Sequence, residues 1–265
     1  MTTVYEPEEP AAVRLGGVGF AFGRSGKPVL RNLSLAIPGG TISAILGPNG
    51  VGKTTLLNLI LGWLRPREGS ITLFGRKTAG TTRREMGRTI SLVPQDEHIP
   101  FEYTTLDYVL LGRAPHLGPL QAPGAADLNV AWEALERVGI AHLAERDVAE
   151  TSGGEKQLAL VARALAQEPR ILLMDEPTAH LDLKNRRRIV DLIHQLHRDG
   201  VTVVFTTHDP ELASVAAERV ILLEGGHLLA EGPVRQVMTE ENLSRAFTMD
   251  LRVHALSADR TVVLW

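Results

Sequence analysis

The pattern of apolar and polar positions changes character three times along this chain. Residues 13–22, 30–37 and 41–46 form short apolar or alternating runs, separated by the turn-forming Arg24-Ser25-Gly26 and Pro38-Gly39-Gly40. Short runs bounded in this way predict β-strands. From residue 41 strands alternate with helices: a strand at 41–46, a helix at 55–64, then strands at 70–74 and 89–93. Between 95 and 150 the pattern turns helical, at 105–111 and 128–138, around a Pro/Gly-rich stretch at 114–124. A helix at 153–167 leads into an apolar strand at 171–174, followed by a helix at 183–198, a strand at 201–206, a helix at 211–217 and a strand at 220–223. The tail reads as a hairpin turn at Glu224-Gly225-Gly226, a helical stretch at 240–246 and two short strands around 257–260. The alternation after residue 41 predicts an α/β fold with a parallel, doubly wound sheet and a helical insertion near 96–160.

Composition narrows the function classes. A chain of 265 residues with 44% hydrophobic and 22% charged residues can bury one large core, with room for a subdomain. A net charge of −3 and a pI near 6.3 argue against a nucleic-acid footprint. The absence of cysteine excludes disulfides, cysteine-ligated clusters and thiol catalysis. The acidic, proline-bearing residues 1–10 lack the basic and apolar regions of a secretory signal. No apolar run approaches the ~18 residues of a spanning helix. The chain is therefore expected to be soluble by itself, with any membrane role supplied through a partner.

The strongest chemical signal is Gly47-Pro48-Asn49-Gly50-Val51-Gly52-Lys53-Thr54, set between the strand at 41–46 and the helix at 55–64. Glycines let the backbone curl so that successive N–H groups point at phosphate oxygens, and the helix start adds positive potential. Lys53 is placed to reach β- and γ-phosphates, and the Thr54 hydroxyl to ligate Mg²⁺. Chance composition would produce such a run in a chain of this size less than roughly once in a hundred times.

A second signal is the apolar strand ending in Asp175-Glu176-Pro177. Open α/β sheets bind ligands at strand ends, so these carboxylates belong beside the phosphate loop. There Asp175 suits a Mg²⁺ role and Glu176 suits activation of the attacking water. Ser152-Gly153-Gly154 opens the helix that feeds into this strand, as an N-cap with exposed amides; alone it is an ordinary helix start. Gln95, just past a strand, is placed to reach Mg²⁺ or water, or is plain polar surface. His208 follows another strand and is placed to contact the γ-phosphate, or is one of nine ordinary histidines. Phe22 is either a stacking surface for adenine or a core side chain. His194 and His197 lie one turn apart, which reads as a solvated helix face rather than a metal pair.

Together these positions resemble the ATP-binding cassette (ABC) family over nearly the whole chain. Residues 47–54 look like its Walker A loop, Gln95 its Q-loop, residues 152–157 its signature motif, 171–176 its Walker B strand, 179–182 its D-loop and His208 its switch histidine. Thr151 and His180 depart from the family's usual leucine and small residue. The resemblance implies a P-loop NTPase core with an N-terminal antiparallel β subdomain and a helical insertion. It implies one ATPase domain at 13–265, a helical subdomain at 96–160 and a C-terminal appendage at 236–265. It further implies ATP and Mg²⁺ as cofactors. Nucleotide contacts would come from Phe22, residues 47–54, Thr55, Ser152, Gly153 and Gly154. The metal would be held by Thr54, Gln95 and Asp175, with Glu176, His208 and Gln95 serving catalysis.

Its implied partners are a second copy closing head to tail, transmembrane permease subunits docking near 98–103, and indirectly a substrate-binding protein. Nucleic acid is not among them. The implied place is the cytoplasmic face of the membrane, as a peripheral subunit. Residues 109–118 and 238–243 are similar to ATPases of iron-siderophore, haem and cobalamin importers. A soluble cassette ATPase, an exporter ATPase and a P-loop kinase are the competing readings. A single cassette, the lack of membrane spans and the motif at 152–157 respectively weigh against them.

Overall fold

In the computed structural model, which describes residues 11–23, 26–99, 101–257 and 260–264, two large β-sheets and a small two-stranded one share the chain. The N-terminal half carries β1 (Ala11–Ala21), β2 (Pro28–Pro38), β3 (Ile42–Leu46), α1 (Lys53–Ile60), β4 (Glu68–Leu73), β5 (Arg76–Lys77), α2 (Arg83–Gly87) and β6 (Ile90–Val93). Three helices follow, α3 (Thr105–Leu110), α4 (Ala125–Arg137) and α5 (Gly153–Ala166). The chain then alternates through β7 (Ile171–Met174), α6 (Leu183–Arg198), β8 (Thr202–Thr207), α7 (Pro210–Ala216) and β9 (Arg219–Glu224). It ends with β10 (His227–Pro233), α8 (Val234–Val237), α9 (Glu240–Phe247) and the hairpin β11 (Arg252–Ser257) and β12 (Arg260–Leu264).

One sheet is antiparallel, in the order β2-β1-β4-β5; the other has six strands in the order β10-β9-β3-β8-β7-β6. Its strands pair in parallel except β10, which folds back antiparallel on β9 through the expected Gly225-Gly226 turn. The register aligns Leu46 with Thr207, Phe205 with Met174 and Met174 with Val93. The carboxyl ends of β3, β6, β7 and β8 therefore reach one edge of the sheet, and Gly47, Gln95, Asp175 and His208 all follow that edge.

Side chains of the central strands alternate between two separate cores, as a period of two requires. Ile42, Ala44, Leu46, Leu172, Met174, Val203 and Phe205 join the helices α3–α6 on one face. Ile45, Ile171, Leu173 and Val204 join α1 and the antiparallel sheet on the other. Each fully buried Leu or Ile contributes about 1.5–3 kcal/mol, so both layers are well anchored.

The helix expected at 55–64 begins at Lys53 and closes at Ile60. Gly62 takes φ +73, and the amides of Trp63 and Leu64 turn back to the Asn58 carbonyl, a left-handed C-terminal stop. The strand expected at 201–206 runs one residue later, and α7 begins at Pro210 because Asp209 caps the amides of Glu211 and Leu212. α2 was not foreseen. It is only five residues long, although its Thr82–Glu85 capping box is written in the sequence. The turn expected at 24–26 lies outside the described residues at 24–25, as do the opening ten residues, Pro100, and 258–259 of the final hairpin turn.

Candidate functional site

The loop at 47–54 joins β3, buried throughout, to α1, whose Leu56, Leu57, Leu59 and Ile60 are buried. Gly50 and Gly52 adopt φ +80 and +108, in the region where glycine is favoured. A Cβ at Gly47 would lie 2.8 Å from the Leu223 carbonyl oxygen, and one at Gly52 would lie 2.7 Å from Leu30 Cδ2. One at Gly50 would meet nothing, so the loop is packed underneath and open above. The Gly47 and Val51 amides donate to Thr207 O and Pro48 O. Among the described residues, the amides of Asn49, Gly50, Gly52, Lys53 and Thr54 meet no acceptor. A row of unpaired N–H groups at a helix start is a receptor for an anion.

Lys53 is buried, and its Nζ donates to Gly47 O (2.9 Å) and Pro48 O (3.3 Å) while lying 3.1 Å from Glu176 Oε1. The other Glu176 oxygen, Oε2, is 2.9 Å from His208 Nδ1. Asp175 is fixed by its amide donating to Val93 O (2.8 Å) and by Thr206 Oγ1 donating to its Oδ1 (2.6 Å). The Glu176 amide in turn donates to Thr206 Oγ1 at 2.9 Å. Glu176 has φ +47, a conformation that costs a non-glycine residue of order 1–3 kcal/mol and is kept where surroundings enforce it. Thr206, fully buried, holds both carboxylate residues and was missed in the sequence, where it reads as one more β-branched strand residue.

The structure thus brings Lys53, Asp175, Glu176 and His208 to one place. Thr54 is exposed at the loop's mouth and Thr55 is buried behind it. Gln95 is exposed just past β6. Phe22 is 56% exposed, its ring edge-on to Phe20 at 5.0 Å, and so is not a core side chain.

Ser152 and Gly153 are exposed, and no hydrogen bond or ion pair joins residues 152–154 to 47–54 among the described residues. Ser152 caps α5 reciprocally: its amide donates to Glu155 Oε2 (2.8 Å) and the Glu155 amide donates to its Oγ (3.4 Å). The Ser152 amide, and after it the Ser152 hydroxyl, hold the Glu155 carboxyl below its usual pKa by hydrogen bonding to its charged form. A Cβ on Gly154 would meet the Asn185 side chain at 2.4 Å, so this helix start lies against α6. His180, at φ +60, precedes Asp182, which caps α6 by accepting from the Asn185 amide. His197 Nε2 lies 3.6 Å from Glu218 Oε1. Among the described residues no group of three or more His, Asp or Glu side chains is gathered for a metal, and no helix is long and apolar enough to cross a membrane.

The chain is similar to known proteins in sequence and fold. The family model for the ABC transporter matches residues 30–179. The hemin import ATP-binding protein HmuV of Gloeobacter violaceus is 37% identical over 248 residues, 91% of this chain and 89% of that protein. The molybdate import ATP-binding protein MolC of Haemophilus influenzae is 38% identical over 224 residues, 84% of this chain and 83% of that protein. Among solved structures, a metal-chelate type ABC transporter in an inward-facing conformation superposes with a TM-score of 0.84 at 34% identity, covering 96% of this chain and 98% of the other. A dimeric ATP-binding cassette in a post-hydrolysis state, bound to ADP and Pi, superposes with a TM-score of 0.73 at 33% identity, covering 84% and 99%. Taken with the phosphate loop and the paired carboxylates at the sheet edge, these matches make the chain a member of the ABC transporter family, one of its ATP-hydrolysing subunits.

Proposed function

We propose that this chain powers a membrane importer for iron-siderophore, haem or cobalamin-type cargo, working as a homodimer beneath transmembrane permease subunits at the cytoplasmic face of the membrane. The observation that carries the ATPase part is the Lys53–Glu176–His208 contact chain beside a loop of unpaired amides. The amides at 49–54 and Lys53 would bind the phosphates of ATP, with Thr55 behind them and Phe22 offering a ring face to the base. Glu176 is placed to take a proton from water, with His208 holding its second oxygen. The hydroxyl of Thr54, the carboxylate of Asp175 and the amide oxygen of Gln95 are hard oxygen donors of the kind Mg²⁺ prefers. When bound, that ion would neutralise charge developing on the phosphates.

Ser152 and Gly153, exposed and away from this chain's own loop, with the buried Gly154 behind them, would serve the nucleotide of a second copy. The dimeric relative with ADP and Pi supports that reading. The same reading takes 13–265 as one ATPase domain, with 96–160 as its helical subdomain and 236–265 as an appendage. The exposed Phe101, stacked edge-on against Tyr103 at 5.8 Å, offers the permease an apolar contact. A substrate-binding protein would meet the permease on the far side.

The cargo class is supported by the resemblance at 109–118 and 238–243 and by the metal-chelate and hemin relatives. Reconstitution with its permease in liposomes tests it. ATP-dependent uptake of a ferric siderophore, haem or cobalamin is expected, whereas uptake of molybdate or free manganese alone would overturn the cargo assignment and leave the ATPase reading intact.

A further inference from the structure

Two hollows open at the edge of the six-stranded sheet opposite the loop at 47–54, and Arg170 lines both. Arg170 stands immediately before β7, where its amide and that of Ile171 donate to Thr89 O at 2.9 and 3.0 Å. Its guanidinium sits 3.6 Å over the centre of the Phe74 ring. Phe74 and Gly75 make the two-residue turn between β4 and β5, with φ +47 and +77. Asn-Gly is the pair such a turn favours, and an aromatic residue at positive φ costs about 1–3 kcal/mol. The ring is kept there by packing against the apolar layer that holds α1 and by the cation above it.

The larger hollow, about 590 Å³, lies between this turn and α2, and its size is that of a small-molecule site. The buried Leu73 and Met86 supply its apolar lining. Three guanidinium groups, those of Arg76, Arg88 and Arg170, face it against a single carboxylate, Glu85. That carboxylate is already engaged, because the Thr82 hydroxyl and amide donate to its Oε2 at 2.6 and 2.9 Å. Arg88 donates only from Nε, to Pro115 O at 3.0 Å. Among the described residues, Arg76 and Arg170 meet no hydrogen-bond acceptor. The chain as a whole carries a net charge of −3, so this surplus of cations is local. The smaller hollow has no such surplus, since Asp199 lines it beside Arg170.

We propose that the hollow between the β4–β5 turn and α2 is a binding site for a small polyvalent oxyanion, a polycarboxylate or a phosphate compound, gripped by Arg76, Arg88 and Arg170. The guanidinium fork matches the paired oxygens of such groups, and two of the three forks are uncommitted. The whole of β7 separates Arg170 from Asp175 and the loop at 47–54, so this is a second site. The inference does not rest on the nucleotide reading.

Isothermal titration calorimetry on the full chain tests it, with citrate and inorganic pyrophosphate as probes at fixed ionic strength. Saturating ATP without magnesium keeps the loop at 47–54 filled, and Lys53→Gln is titrated alongside. Saturable binding of at least one probe, at one site per chain, is expected. Arg76→Gln and Arg170→Gln should each weaken it about tenfold or more, and Lys53→Gln should leave it unchanged. Tighter pyrophosphate would assign the site to phosphate compounds, and tighter citrate to polycarboxylates. No saturable binding of either probe, loss of binding in Lys53→Gln, or undiminished binding in both arginine variants would overturn the proposal. Should Arg170→Gln fail to fold once its stack on Phe74 is gone, Arg76→Gln, an exposed change, decides.

Discussion

Lys53 Nζ lies 3.1 Å from Glu176 Oε1, with side chains 6% and 10% exposed. The cation of the phosphate loop and the acidic residue at the end of β7 neutralise each other inside the protein. On the proposed function, Lys53 would loosen this contact to engage a phosphate and in doing so would free a Glu176 oxygen. Binding and the readiness of the proposed base would thereby be linked through one ammonium group.

Replacing Glu176 with Gln separates the two effects. It removes the proposed base, so phosphate release should fall by at least about 100-fold. It also removes a negative charge beside the loop, so ATP should bind several-fold tighter, the scale of ~1 kcal/mol of lost repulsion. Light scattering should show an ATP-dependent dimer; a species that stays monomeric with ATP bound would count against the homodimer.

Thr206→Val keeps the shape of the side chain and removes the hydroxyl shared by Asp175 and the Glu176 amide. A buried N–H left without an acceptor costs about 1–3 kcal/mol. Urea denaturation should show a loss of that size, and ATP turnover should fall with it. Thr206→Ser, which retains the hydroxyl, should keep most of both.

Gly112 sits where a Cβ would come 2.2 Å from the Arg163 carbonyl and 3.1 Å from Ala166 Cβ. Backbone cannot yield as a side-chain tip does, so Gly112→Ala should destabilise by about 1–3 kcal/mol in denaturant. ATP affinity at the distant loop should change little.

The capping box of α5 gives a pH dependence of known sign. Hydrogen bonds from Ser152 lower the Glu155 pKa below its ordinary 4.5. The contribution is complete above that value and is lost as pH falls through the lowered folded-state pKa. Amides at the start of α5 should exchange faster, relative to the rest of the helix, once the pH drops below about 4.5. Glu155→Ala should show the fast exchange already at neutral pH.

Phe101→Asp places a charge on an exposed aromatic outside the nucleotide site. ATP binding and basal hydrolysis should persist while transport in reconstituted liposomes collapses. Unchanged transport would remove this face from the permease contact.

Much of this was legible beforehand for a physical reason. The strands β3, β7 and β8 are buried along their whole length and so read as apolar runs, and glycines needing positive φ marked the phosphate loop. What escaped depends on contacts far apart in sequence. Thr206 becomes a bridge only because β8 lies beside β7 in a register that pairs Phe205 with Met174. Arg170 stacks on Phe74 from far along the chain, and nothing in their local sequence pairs them. Phe22 had two readings until its exposure decided between core and surface. α2 was too short for periodicity to register.

The six-stranded sheet keeps two apolar layers from meeting, with Leu57 of α1 in one and Leu160 of α5 in the other. Damage in either layer therefore stays local. In the proposed homodimer, a hole carved beneath the loop at 47–54 would spoil what the chain holds for itself, and one carved beneath α5 would spoil what it lends its neighbour. Two differently wounded copies, mixed, should assemble one healthy half where neither wounded copy alone could.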